Sequence, residues 1–170
     1  MIIGMSTATF TLFHVAISIF AIIAGAIVLY DMLNARLRNG WTALFLATTV
    51  ATSATGFLFH FTGFTPARGV GIISLVILAF AAFALYGHRL IGAWRWLYVA
   101  GAVTALYFNV FVGVVQAFQK LPFLKALAPT QSEAPFVIAQ ALVLAGFLVL
   151  GVTAANRFHP GSGVSAVMRD

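Results

Sequence analysis

Apolar residues run along this chain in long blocks separated by short polar turns. The first block covers about 8–33 and ends at the turn NARLRNG. The others cover about 41–61, 70–87, 96–118 and 136–155. The turns between them are TGFTPARG, HRLIGAWRW and a longer link over 119–134 that holds Pro122 and Pro129, with Pro135 just after it. Each block can cross a bilayer core, which takes about 20 apolar residues as a helix. None alternates apolar and polar positions as the strands of a membrane barrel do. The pattern therefore predicts an all-α, polytopic transmembrane bundle of five helices over 1–158, with a disordered cytoplasmic tail over 159–170. Pro66, between Gly63 and Gly69, divides an apolar zone that otherwise reads as continuous. A signal peptide is a poor reading of the first block, which lacks a preceding positive charge and outruns the usual apolar core of such peptides. No internal repeat suggests an inverted-repeat transporter.

Composition agrees with this pattern. The 170 residues are 62% hydrophobic and only 7% charged, and the mean hydropathy is +1.07. Soluble domains carry about 25% charged residues, so these few charges cannot cover a water-facing surface. The net charge of +6 comes from nine Lys and Arg at or near the ends of the apolar blocks. There is no basic run and no aromatic-basic interleaving, which excludes nucleic acid as a partner. The basic residues are instead topology signals. With the N-terminus outside, Arg36, Arg38, Arg89, Arg95, Arg157 and Arg169 fall on the cytoplasmic side, and Arg68, Lys120 and Lys125 outside. That bias predicts N-out, C-in. Trp41, Trp94 and Trp96 fall at the cytoplasmic interface, where Trp is expected. The absence of Cys removes disulfides, thiolate metal sites and thiol nucleophiles.

Few residues are left to carry chemistry. Four His and three acidic residues are present. In the first block His14, Ser18, Ala21 and Gly25 form one helical stripe; in the second, Thr49, Ser53, Gly56 and His60 form another. An antiparallel hairpin pivoting at residue 37 pairs 14 with 60, 18 with 56, 21 with 53 and 25 with 49. Small residues in register allow close helix packing in lipid, so the sequence predicts that His14 and His60 meet near the outer surface. Three readings of that pair stay open. It is a hydrogen-bonded structural pair, a proton or substrate site, or a ligand set for a divalent metal or b-type haem. A metal needs a third ligand, which Glu133 supplies as the acidic residue on the outer side. Haem needs room that small-residue stripes do not leave. The fourth block carries a stripe of Tyr98, Ala102, Ala105, Asn109, Gly113 and Gln116, and Gln140 lies at a similar depth in the fifth. Asn109, Gln116 and Gln140, with His14 and His60, are the candidate ligand-binding residues; the alternative is interhelical hydrogen bonding. In the link LAPTQSEAPF, Thr130 or Ser132 is expected to cap the last helix. Asp31 is expected to form an ion pair with Arg36 or Arg38.

The runs NGWTALFLATTVATSATGFLF, GVGIISLV, GAWRWLYV, ALYFNVFVGVVQAF and LAPTQSEAPF resemble those of a group of small, uncharacterised multi-pass inner-membrane proteins of proteobacteria. The resemblance covers most of the chain. It implies a bacterial inner-membrane location and supplies no chemistry. That group carries FLFPFHGFTP where this chain has FLFHFTGFTP, which moves the histidine two residues, or about 200° around a helix. No nucleophile, phosphate loop or acid-base carboxylate pair is recognisable. The sequence thus favours a non-enzymatic protein that binds a small ligand or a partner membrane protein near the outer leaflet. The alternatives are a b-type haem electron carrier and an oligomeric transporter or channel subunit. The expected partners are the lipid bilayer, a second copy of the chain, or another membrane protein.

Overall fold

The computed structural model describes residues 2–59 and 66–160. Among these, six α-helices form and no strand does. Helix α1 spans Thr7–Leu33, α2 Asn39–Gly56, α3 Pro66–Ala82, α4 Ala93–Lys120, α5 Pro122–Leu127 and α6 Ala134–Arg157. Helix α3 is prolonged by a π-helical turn, Phe83–Gly87.

The local signals are readable. Ser6 caps α1 by accepting from the Thr9 backbone N–H at 3.1 Å. Pro66 opens α3, a position where its fixed φ is preorganised and its missing N–H costs nothing. Pro122 and Pro135 lie in the first turns of α5 and α6. Helix α5 forms inside the polar link between the fourth and fifth apolar blocks. The N-cap of α6 is Glu133 rather than Thr130 or Ser132. Its carboxylate accepts from the Thr130 N–H at 3.1 Å, the Thr130 hydroxyl at 2.9 Å and the Ser132 N–H at 3.1 Å. One long acceptor-only side chain closes this loop where two hydroxyls were expected to cap.

Among the described residues, four helices are long and apolar enough to cross a membrane: Thr7–Leu33, Arg68–Gly87, Ala93–Lys120 and Ala134–Arg157. The second block, expected to cross as well, forms a shorter and more polar helix. Its 18 residues include six hydroxyl side chains, and at 1.5 Å per residue it reaches about 27 Å. The Thr48 and Thr55 hydroxyls bond back to the carbonyls of Leu44 and Ala51, each at 2.7 Å. That back-bonding satisfies groups which would otherwise be exposed to an apolar surround.

The long helices run alternately up and down. Gly25 of α1 faces Phe45 of α2, and His14 faces Gly56. Gly101 of α4 sits against Ala81 of α3. Gly151 of α6 packs on Val103, and Phe136 of α6 packs edge-on against Phe118 at 5.3 Å. Helix α4 is the centre, touching α1, α2, α3 and α6.

One end of this bundle gathers Asp31, Arg38, Arg89, Arg95 and Phe158; the other gathers His14, Thr55, Gln116 and Gln140. They are called the arginine end and the histidine end below. The buried core lies toward the arginine end. It consists of Ala24 to Met32 on α1, Phe45 and Leu46 on α2, Leu78 to Leu85 on α3 and its π turn, Tyr98 to Leu106 on α4, and Ala154 and Phe158. Toward the histidine end α6 contributes no buried residue.

Candidate functional site

The α1–α2 hairpin is antiparallel, as its stripes predict, but its register is one helical turn away from expectation. The pairs 14 with 56 and 25 with 45 pivot at residue 35, not 37. Residue 35 is where the chain turns: Ala35 takes a left-handed φ of 54°. The shift of four residues keeps the same helix faces together, which is why the stripe pattern was right and its alignment wrong. A small residue was expected opposite Gly25, and a large one is found. A Cβ there would lie 2.5 Å from Leu106 Cδ1 and 2.7 Å from Phe45 Cε2. Gly25 is therefore the notch that admits the Phe45 ring, and helix-helix closeness comes from glycine against aromatic.

The same shift gives His14 a different partner. His60 lies outside the described residues, so their expected meeting does too. His14 Nδ1 is 2.7 Å from the Thr55 hydroxyl. That hydroxyl has one proton and directs it to the Ala51 carbonyl at 2.7 Å. Its oxygen must then accept from His14, which fixes the proton on Nδ1 and leaves Nε2 as an acceptor. The ring is half-buried, edge-on to Phe59 at 5.2 Å. No described residue hydrogen-bonds Nε2. Thr55 is missing from the sequence reading because it belongs to the neighbouring stripe of α2.

The other candidate residues are individually partnered rather than pooled. Asn109 Nδ2 donates to the Thr49 hydroxyl at 3.1 Å, joining α4 to α2. Gln140 Nε2 donates to the Phe111 carbonyl at 3.2 Å, joining α6 to α4, while its buried Oε1 has no partner. Gln116 is exposed. Gln131 donates to the Val115 carbonyl at 2.9 Å and accepts from Gln119 at 3.2 Å. These contacts join helix to helix, or the loop before α6 to α4.

The metal and haem readings meet specific obstacles. Both Glu133 oxygens are committed to the loop before α6. Among the described residues, no three His, Cys, Asp or Glu side chains gather as a metal site. His14 and His88 lie at opposite ends of the bundle, and His88 stacks face to face on Trp94 at 3.8 Å. The close approach of α1 and α2 at Gly25 leaves no room for a porphyrin between them.

The arginine end holds a buried ion pair. Asp31 is 3% exposed, and its Oδ2 accepts from Arg38 Nε at 2.6 Å. Its Oδ1 is buried without a hydrogen bond, as is the hydroxyl of fully buried Tyr98. Arg95 donates from one nitrogen to the carbonyls of Ala155 at 3.0 Å and Phe158 at 2.6 Å. It thereby caps the C-terminus of α6, where a cation complements the helix dipole. The Asp31–Arg38 pair was expected; the Tyr98 and Arg95 roles were not. A lone carboxylate inside an apolar run was the available signal.

No protein-family model, curated protein or solved structure matches the chain. The functional reading therefore rests on the geometry and composition alone.

Proposed function

We propose that this chain is a five-span protein of a bacterial inner membrane, oriented N-out and C-in. It binds a small ligand or a partner membrane protein at the histidine end and carries out no covalent chemistry. The observation behind this is the lopsided packing: the continuous cluster of buried side chains lies in the arginine half, while the other half buries only scattered residues such as Phe10 and Phe118, and its polar groups are mostly half-buried. A half-open region containing an oriented imidazole acceptor and amides of α4 and α6 suits a ligand that donates hydrogen bonds. Helix α2 is the fifth span, since its antiparallel contact with α1 returns the chain to the level of His14. Its length of about 27 Å approaches the roughly 30 Å hydrocarbon core.

The chain has no Cys, so single cysteines can report water access. Cysteines replacing Gln116 and Gln140 should react with a membrane-impermeant thiol reagent from outside, and one replacing Ala102 should not. Equal protection at all three positions would overturn the binding reading. Labelling from outside at position 131 but not at 162 is expected for N-out, C-in; the reverse result would invert it.

A further inference from the structure

At the arginine end, four separate segments close on one cavity of about 300 Å³. The α1–α2 turn gives Leu37, the α3–α4 turn gives Arg89 and Leu90, α4 gives Arg95, and the chain after α6 gives His159 and Pro160. Two guanidiniums and an imidazole thus line it, and no carboxylate does among the described residues. The α3–α4 turn is shaped to present this wall. Arg89 and Leu90 both adopt left-handed backbone, with φ of 48° and 61°, a conformation that non-glycine residues hold only when surrounding contacts enforce it. Here the enforcement is visible. The Leu90 N–H donates to the Ala84 carbonyl at 3.1 Å, Leu90 packs on the core, and His88 is clamped against Trp94. Arg89 itself is exposed, with no hydrogen bond or ion pair among the described residues. Arg95 is held in place by the α6 carbonyls and by Trp96, whose ring lies 4.6 Å from the guanidinium carbon. Its other donors remain available.

We propose that this cavity binds the phosphate of an anionic phospholipid headgroup. The inference rests on the membrane-spanning reading above but not on the histidine-end site. Guanidinium groups recognise phosphate oxygens through paired N–H donors, and basic pockets between helices at the cytoplasmic face suit anionic headgroups. A lipid is favoured over free phosphate because apolar surface flanks the cavity. Ile91 in the same turn is 72% exposed and Trp96 46%, a place for the upper acyl chain.

All three Trp residues lie at this end, so intrinsic fluorescence reports on it alone. The purified full chain in nanodiscs should be quenched more by brominated phosphatidylglycerol than by brominated phosphatidylcholine at the same mole fraction. One basic group at the surface supports a preference of about fivefold. Arg89→Gln should abolish most of that preference. Arg157→Gln removes the same charge at the same end but outside the cavity, and should leave it. No preference in the unsubstituted chain, a preference that survives Arg89→Gln, or equal losses in both variants would overturn the proposal. So would loss of the preference on adding inorganic phosphate at constant ionic strength, which would make free phosphate the ligand. A failed membrane reading would show separately, in the cysteine labelling.

Discussion

At the arginine end, α1, α2, α3, α4 and α6 bury a continuous set of side chains around Tyr98, Phe45 and Phe158, and the polar contacts there include a buried ion pair and an arginine on helix carbonyls. At the histidine end, the same helices are less deeply buried, and the polar groups between the helices are neutral and joined in pairs across their interfaces. The two ends divide stability from exposure. Density at one end holds the bundle together, and the other end can then keep half-buried polar groups. In lipid the hydrophobic effect does not drive helices together, so packing and interhelical hydrogen bonds must. One end uses mainly packing and the other mainly hydrogen bonds.

That contrast is most easily broken at its glycines. Gly25→Val places a branched side chain where the Phe45 ring and Leu106 already sit, with 2.5–2.9 Å available to its first carbon. Overpacking of that kind costs about 3 kcal/mol. Gly113→Val at the histidine end meets only Ile22, at 3.7 Å, an ordinary contact. Its cost should stay within about 1 kcal/mol. Reversible unfolding in mixed micelles measures both. Similar losses at the two positions would mean that the ends are equally packed.

The charge pair sharpens the comparison from the other side. Arg38→Gln strands a carboxylate that is 3% exposed, whereas Asp31→Asn leaves a guanidinium whose side chain is 50% exposed and open to water. Stranding a buried charge is worse than removing it. Arg38→Gln should therefore lower the unfolding midpoint more than Asp31→Asn does. Water reaching Arg38 keeps both effects below that of Gly25→Val. If Asp31→Asn were the more damaging, the carboxylate would be contributing through its unpaired Oδ1 rather than through Arg38.

The all-α class, the long apolar helices and the antiparallel hairpin were legible in the sequence, because period and block length follow directly from helix geometry. Register was not. A four-residue slide keeps nearly the same helix faces together, so the stripes identify the face without setting which residues lie opposite one another. The choice is made by the Ala35 turn and by Phe45 entering the Gly25 notch, neither of which a small-residue count reveals. The candidate site was legible as a set of residue types and not as partners. Thr55 and Phe111 recruit His14 and Gln140 from positions outside the polar stripes. Arg95 reads as a topology charge, yet it spans 60 residues of sequence to reach Ala155. The second block was legible as a helix, but the way it handles its hydroxyls was not: Thr48 and Thr55 bond back to carbonyls of their own helix, which hydropathy does not register.

Smaller effects are expected for the neutral pairs. Asn109→Leu deletes the donor to Thr49 and fills the space with carbon. Hydrogen bonds between membrane helices average about 0.6 kcal/mol, and isosteric apolar replacement recovers part of that. The loss should be about 0.5 kcal/mol or less. His14→Phe should behave alike in unfolding, while also removing the acceptor Nε2 and any ligand affinity that depends on it. A loss above about 2 kcal/mol in either variant would make the histidine end a stability element, contrary to the comparison drawn here.

The smallest effect belongs to Glu133, in the loop before α6. Reduced hydration pushes its carboxyl pKa up, but hydrogen bonds from the Thr130 backbone, the Thr130 hydroxyl and the Ser132 backbone outweigh it and hold the carboxyl below its ordinary value. A lowered pKa in the folded chain means that folding favours the ionised form. The loop's stabilisation is then fully present above the ordinary carboxylate range and is lost as pH falls through the lowered value. Amide exchange at Thr130 and Ser132 should accelerate only on that acid side, and Glu133→Gln should remove the pH step. The core around Tyr98 should show no change over the same range, because the loop is exposed and distant from the dense end of the bundle. Simultaneous loosening of both regions would tie the loop to the core and dissolve the division between the two ends.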